Sequence, residues 1–129
     1  MSSLRSFEDL ECWKSARDLR IFVSKQILPK FPTEEKFALT SQLRRSSRSV
    51  SDNIAEGYGR FHYQENIQFC RIGRGSLCES LNQVITAHDE YYIDDNLLKE
   101  FRIKYERTLL LLNGYINYLG KAKLTSNNQ

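Results

Sequence analysis

The sequence predicts an all-α fold, an antiparallel up-down-up-down four-helix bundle with short loops, on three observations. Apolar residues recur at steps of three and four through four separate stretches. No stretch alternates apolar and polar residues as a half-buried strand does, and both prolines of the 129-residue chain fall together at Pro29 and Pro32. The first helix, about residues 10–28, carries Leu10, Trp13, Ala16, Leu19, Val23 and Ile27 on one side. Ser6 or Asp9 can cap its start, where Glu8, Asp9 and Glu11 suit the positive end of the helix dipole. Pro29-Lys30-Phe31-Pro32 ends it, and Thr33-Glu34-Glu35 signals a second helix over about 34–56 with Leu39, Leu43, Val50 and Ile54 as its stripe. Gly57 offers a left-handed stop there, with Asn53 and Glu56 as further helix-end residues.

The third helix, about 62–90, has Ile67, Cys70, Leu77, Leu81 and Val84 on its apolar face. Gly73, Gly75 and Ser76 interrupt it. Each glycine costs ~1 kcal/mol relative to alanine, which predicts a tight helix crossing at that point. Tyr91 to Asn96 supplies a turn with an Asp cap, and Leu98, Phe101, Tyr105, Leu109, Leu112, Ile116 and Leu119 give a long stripe over about 95–121. Residues 1–123 thus form one domain, and 124–129, with no apolar anchor, are expected to be a disordered tail. Helix 4 also bears Ile103, Leu110, Leu111, Tyr115 and Tyr118 off its main seam. They are either a wide, partly exposed stripe or a subunit interface, for which Leu110, Leu111 and Tyr115 are the candidates.

Composition bounds the function classes. Hydrophobic residues make up 40% and charged residues 27%, the composition of an ordinary globule. The longest aliphatic run, Leu109 to Leu112, falls far short of the ~20 residues a membrane helix needs, and no apolar signal core follows Met1 to Arg5. A cytoplasmic location with no membrane contact is the expectation. Cys12, Cys70 and Cys78 lack Cys-x-x-Cys spacing, which fits reduced packed thiols rather than disulfides or zinc. Neither His62 nor His88 follows a Glu by three residues, so the di-iron pattern of helical bundles is missing, and no Gly-rich loop follows a strand. Cys70 and His62 stand eight residues apart, about 12 Å of helix rise, too far to act as nucleophile and base within one chain. No catalytic residue, metal ligand or cofactor is assigned, and the chain is expected not to be an enzyme.

What the sequence does carry is positive charge. Net charge is +3, which tilts the chain toward anionic partners. In Ser41-Gln42-Leu43-Arg44-Arg45-Ser46-Ser47-Arg48-Ser49, Arg44 and Arg45 have no acidic residue three or four positions away, and Arg44 faces Arg48 across one turn. Two readings stay open. Arg44 or Arg45 reaches a carboxylate on another helix, with Glu79 first and Glu56 or Glu65 next. Alternatively Arg44, Arg45 and Arg48, with Arg60, Arg71, Arg74 and helix-1 Lys14, Arg17 and Arg20, bind the phosphates of RNA or DNA. The tract Tyr58-Gly59-Arg60-Phe61-His62-Tyr63 either plugs the bundle end or stacks on unpaired bases.

A set of ordered motifs resembles a known family. Phe7-Glu8-Asp9-Leu10 with Trp13 and Ala16-Arg17, Phe31-Pro32 with Glu35-Lys36-Phe37 and Leu39, Ser41-Gln42-Leu43-Arg44-Arg45, Asn53 through Arg60, and Gly75-Ser76-Leu77 with Glu79 look like the bacterial four-helix bundle proteins encoded by intervening sequences of 23S ribosomal RNA genes. The resemblance implies a homopentamer around a central channel. Related accessory proteins of diversity-generating retroelements are basic pentamers that bind nucleic acid and a reverse transcriptase, so by analogy nucleic-acid binding is the function expected. The alternative is a protein-interaction scaffold or reverse-transcriptase accessory subunit without nucleic-acid binding of its own. Ser46-Ser47 stands where the family often has two alanines, Arg48 where it has a small or apolar residue, and Ser51-Asp52 where it has proline and serine. Arg48 enlarges the positive tract, and loss of the proline removes an expected kink in helix 2.

Overall fold

A computed structural model describes residues 6–127. A 3-10 turn, Phe7–Asp9, precedes α1 (Glu11–Phe22), and α2 (Leu39–Gly59), α3 (Tyr63–Asp89) and α4 (Asp95–Asn127) follow; among the described residues there is no strand. α1 does not stop at Phe22. It widens into a π-helical stretch, Val23–Ile27, and then tightens into a 3-10 turn, Leu28–Lys30. Pro29 accounts for the change, because its ring and missing N–H conflict with the carbonyl four residues back. Val23, Ile27 and Leu28 stay buried through it, so the inner face continues.

Each helix packs against two neighbours, α1 on α2 and α4, α3 on α2 and α4. Side-chain pairs fix the direction. Between α2 and α3, Ser46 meets Ser80 at 2.9 Å, Ser49 accepts from Ser76 at 2.8 Å, and Gly57 lies beside Asn66. As one number rises the other falls, the register of antiparallel neighbours. Between α1 and α4, Ser15 and Thr108 are 2.7 Å apart and the Lys104 ammonium donates to Asp18 at 2.8 Å, again in opposed order. The core between the helices is built from Leu19, Ile27, Leu43, Val50, Ile54, Leu77, Val84, Phe101 and Leu112, all fully buried. Burying each large side chain contributes about 1.5–3 kcal/mol.

The α2/α3 contact is polar as well as close. The Ser46 hydroxyl donates to Gln83 Oε1 at 2.6 Å, and Ser80 donates to the Ser76 carbonyl at 2.9 Å. Ser46 and Ser47 are thus turned inward, where small side chains let the backbones approach. The crossing expected from Gly73 is present: a Cβ there would lie 3.2 Å from the Val50 carbonyl oxygen. Gly75 takes no part in it. A Cβ at Gly75 meets nothing within 4 Å.

Three expectations about helix ends are corrected. α2 begins at Leu39, not near Glu34; Thr33–Glu35 forms a separate 3-10 turn, and the Glu35 carboxylate instead accepts from the Leu39 N–H at 3.2 Å and from the Tyr92 hydroxyl at 2.7 Å. Gly57 is not a left-handed stop. No glycine has positive φ, and α2 runs through Gly57 because α3 crosses there, with an added Cβ 2.7 Å from Asn66 Oδ1 and 2.9 Å from Phe69 Cβ. The left-handed residue after α2 is Phe61, φ 53°, and after α3 it is Tyr91, φ 63°. α4 continues past residue 121 to Asn127, held by Lys123 bonding Gln64 of α3 and by the Thr125 hydroxyl on the Lys121 carbonyl. The tail expected over 124–129 is helical as far as 127, and 128–129 lie outside the described residues. The Asp cap of α4 is present: Asp94 Oδ1 accepts from the Leu97 N–H at 2.9 Å. Ser6 caps the turn before α1 through the Glu8 N–H, and α1 itself has no side-chain cap.

The two glycine environments give opposite predictions. Gly57→Ala is expected to destabilise the fold, since overpacking at 1–3 kcal/mol outweighs the ~1 kcal/mol gain in helix propensity. Gly75→Ala, in open space mid-helix, is expected to stabilise it by about 0.5–1 kcal/mol. Urea unfolding of the two variants checks both signs.

Candidate nucleic-acid interface

The outward face of α2 follows from its period. With Leu43, Ser46, Ser47, Val50 and Ile54 turned inward, Arg44, Arg45 and Arg48 emerge on the solvent side, all exposed. They line an open cleft of about 500 Å³ with Ser41, Ser49, Asp52 and Asn53. A second cleft, between α1 and α2, shares Arg48 and Asp52 and adds Arg20 of α1. The two adjoining clefts together are lined by four arginines and one carboxylate, Asp52. Among the described residues none of Arg20, Arg44, Arg45 and Arg48 makes an ion pair or side-chain hydrogen bond.

That geometry overturns the internal ion-pair reading for Arg44 and Arg45. Glu79 accepts instead from the Gln83 amide at 3.3 Å, one turn along α3. Glu56 and Glu65 both hold Arg60, at 3.0 and 3.8 Å. The Arg60 guanidinium also lies 5.0 Å from the Phe69 ring centre, which fixes it at the α2/α3 corner. Of the other basic candidates, Lys14 pairs with Glu11 at 3.2 Å and Arg74 donates to Asn113 Oδ1 at 2.8 Å, bracing α3 against α4. Arg71 sits in a different cleft, between α3 and α4, beside Lys121. Arg17 is exposed on α1 and unpaired among the described residues. Of the nine, only Arg20, Arg44, Arg45 and Arg48 are brought together.

Sequence reasoning missed the polar edge of the main cleft. Asn53 Nδ2 donates to the Ser49 carbonyl at 2.8 Å and to Ser49 Oγ at 2.9 Å, so the two side chains are fixed along the α3-side edge of the arginine cleft. Their spacing of four residues was the available signal.

The off-seam residues of α4 divide. Leu110 is 74% exposed, as are Ile103, Tyr118 and Leu124 in large part. Leu111 and Tyr115 pack partly on the protomer's own core, and the Tyr115 oxygen accepts from Asn66 Nδ2 at 3.0 Å. Of the three interface candidates, Leu110 alone is largely exposed, because Leu111 and Tyr115 pack partly on the core and Tyr115 reaches Asn66 of α3.

Cys12 and Cys70 are buried and unbridged, and Cys70 donates to Asn66 Oδ1 rather than to His62. Burial pushes both thiols up to about 12 and the Tyr115 phenol likewise to about 12. The folded chain thus holds protons to about pH 12 that the unfolded chain releases near 9 for the thiols and 10 for the phenol. Stability is fully present below pH 9 and is expected to fall across that window, as urea midpoints measured at successive pH values will show. At neutral pH the exposed Cys78 is the thiol expected to react rapidly with Ellman's reagent, with Cys12 and Cys70 reacting on unfolding. Among the described residues no group of three or more His, Cys, Asp and Glu side chains is placed to hold a metal ion, and no helix is long and apolar enough to cross a membrane.

Fold and surface together define a class: a four-helix bundle whose second helix offers to solvent an arginine ridge with no ion pair among the described residues. The chain belongs to the 23S rRNA-intervening sequence protein family, whose family model matches residues 8–114, from the start of the bundle to the middle of α4. No curated protein matches it.

Proposed function

We propose that this chain is a non-enzymatic, cytoplasmic, homo-oligomeric protein that binds RNA or DNA through phosphate contacts on the α2 face. The observation that carries the reading is the clustering of Arg44, Arg45 and Arg48 in one cleft without a carboxylate partner among the described residues, joined by Arg20. Guanidinium groups with free forks are suited to bidentate phosphate recognition, and Ser41, Ser49 and Asn53 add neutral hydrogen-bonding groups alongside. A net charge of +3 gives modest attraction for one protomer, and a homopentamer, the assembly implied by the family resemblance, multiplies it by gathering several α2 faces. Fluorescence anisotropy with single-stranded, duplex and structured RNA and DNA tests the reading. Binding that weakens steeply with salt supports it, and no association at low ionic strength sinks it.

The exposed apolar residues of α4, Ile103, Leu110, Tyr118 and Leu124, favour a second reading, a protein-interaction scaffold or reverse-transcriptase accessory subunit. A pull-down after nuclease treatment separates the two, since a scaffold retains its protein partner and a nucleic-acid-mediated complex does not.

A further inference from the structure

The loop between α2 and α3 holds a feature that the arginine face does not use. Phe61 is 87% exposed and sits at φ 53°, in the left-handed position after a helix where glycine is the usual occupant. The fold is disfavoured twice by that residue, once for the backbone and once for an apolar ring in water. Bundle plugging does not explain it. Tyr58, one turn earlier, packs on the core, whereas the exposed Phe61 ring lies tilted against Tyr58 at a centroid distance of 6.1 Å.

The cleft beside the ring has a polar lining without a carboxylate, and the nearby Glu56 and Glu65 are both engaged by Arg60. That open cleft is lined by Phe61, His62, Tyr63, Gln64, Lys123 and Ser126. Lys123 bonds the neutral Gln64, so its charge is not cancelled by an acid in that contact. The other left-handed aromatic makes a useful contrast. Tyr91 is 93% exposed at the opposite end of the bundle, but Asp89, Glu90, Asp94 and Asp95 crowd that turn and repel a polyanion.

We propose that Phe61 is a stacking platform for an unpaired nucleobase, with the Lys123 ammonium placed for the adjoining phosphate; this rests on the nucleic-acid reading above and extends it to single-stranded ligands. Every base has a π-face, so the contact is indifferent to sequence and is lost only when bases are paired within a duplex.

Phe61→Gly separates this role from a structural one. Glycine adopts φ 53° freely, so the thermal midpoint is expected to stay at or above that of the unmodified protein. Anisotropy of fluorescein-labelled oligoadenylate is expected to show affinity falling roughly 5-fold or more, the loss of one base–aromatic stack, with duplex affinity and the salt slope unchanged. Phe61→Trp is expected to retain single-strand affinity, and Tyr91→Gly to have no effect on it. If the protein binds oligoadenylate and Phe61→Gly binds it equally well, the platform is overturned while the α2 reading stands. A Phe61→Gly midpoint well below that of the unmodified protein likewise overturns it, by making Phe61 a packing residue. Binding to no nucleic acid at all overturns both.

Discussion

Replacing Arg44, Arg45 and Arg48 together by alanine is expected to lower affinity for RNA or DNA by on the order of 100-fold near 0.1 M salt and to flatten its salt dependence. The magnitude comes from counterion release. Each lost phosphate contact removes about 0.7 from the log–log salt slope for single strands and about 0.9 for duplex, so three contacts remove about 2 to 3. The fold should not suffer, because all three side chains are exposed and none has an ion-pair partner among the described residues. Removing the like-charged Arg44 and Arg48 pair one turn apart even relieves a few tenths of a kcal/mol of repulsion. Arg60→Ala provides the control. Its guanidinium is held by Glu56 and Glu65, so its loss should leave the slope nearly unchanged. A triple variant that binds as tightly as the parent, with the same slope, removes the α2 face from the interface.

Much of this architecture was legible in the sequence because helical period is a local property. The inward stripes of α2 and α4 are read from residues three and four apart, and the Gly73 crossing from a glycine that costs helix stability without local benefit. The helix ends were less legible. They depend on which residue bears the left-handed turn: after α2 it is Phe61 rather than Gly57, and after α3 it is Tyr91. The site divides along the same line. Arg44, Arg45 and Arg48 could be grouped because one helix carries them all. Arg20 belongs to the same sequence-based set but could not be singled out there from Lys14 and Arg17, because its approach to Arg48 depends on the register of α1 against α2, which no single helix encodes. Nor could the fate of Glu79, whose nearest partner is Gln83 on its own helix rather than an arginine across the bundle.

Phe101→Ala is expected to cost about 3–5 kcal/mol, the range for deleting a fully buried aromatic ring, which is a large share of the 5–15 kcal/mol that stabilises a typical domain. Phe101 is wholly buried in α4 and heads the bulkiest of the fully buried side chains, so its removal opens a cavity that the neighbouring helices can only partly close. Urea unfolding reads the loss as a lower midpoint at unchanged slope. A cost under about 1 kcal/mol contradicts full burial of this ring. Leu110→Ala on the same helix isolates what burial contributes. Leu110 is 74% exposed in the protomer, so within one chain its truncation should change stability by no more than about 0.5 kcal/mol. If α4 meets another subunit through Leu110, however, the variant loses stability only where subunits associate, and its unfolding midpoint becomes more sensitive to protein concentration than that of the parent. Phe101→Ala lowers the midpoint at every concentration. Measuring both variants across a dilution series therefore distinguishes apolar surface that holds the bundle together from apolar surface that holds bundles to one another.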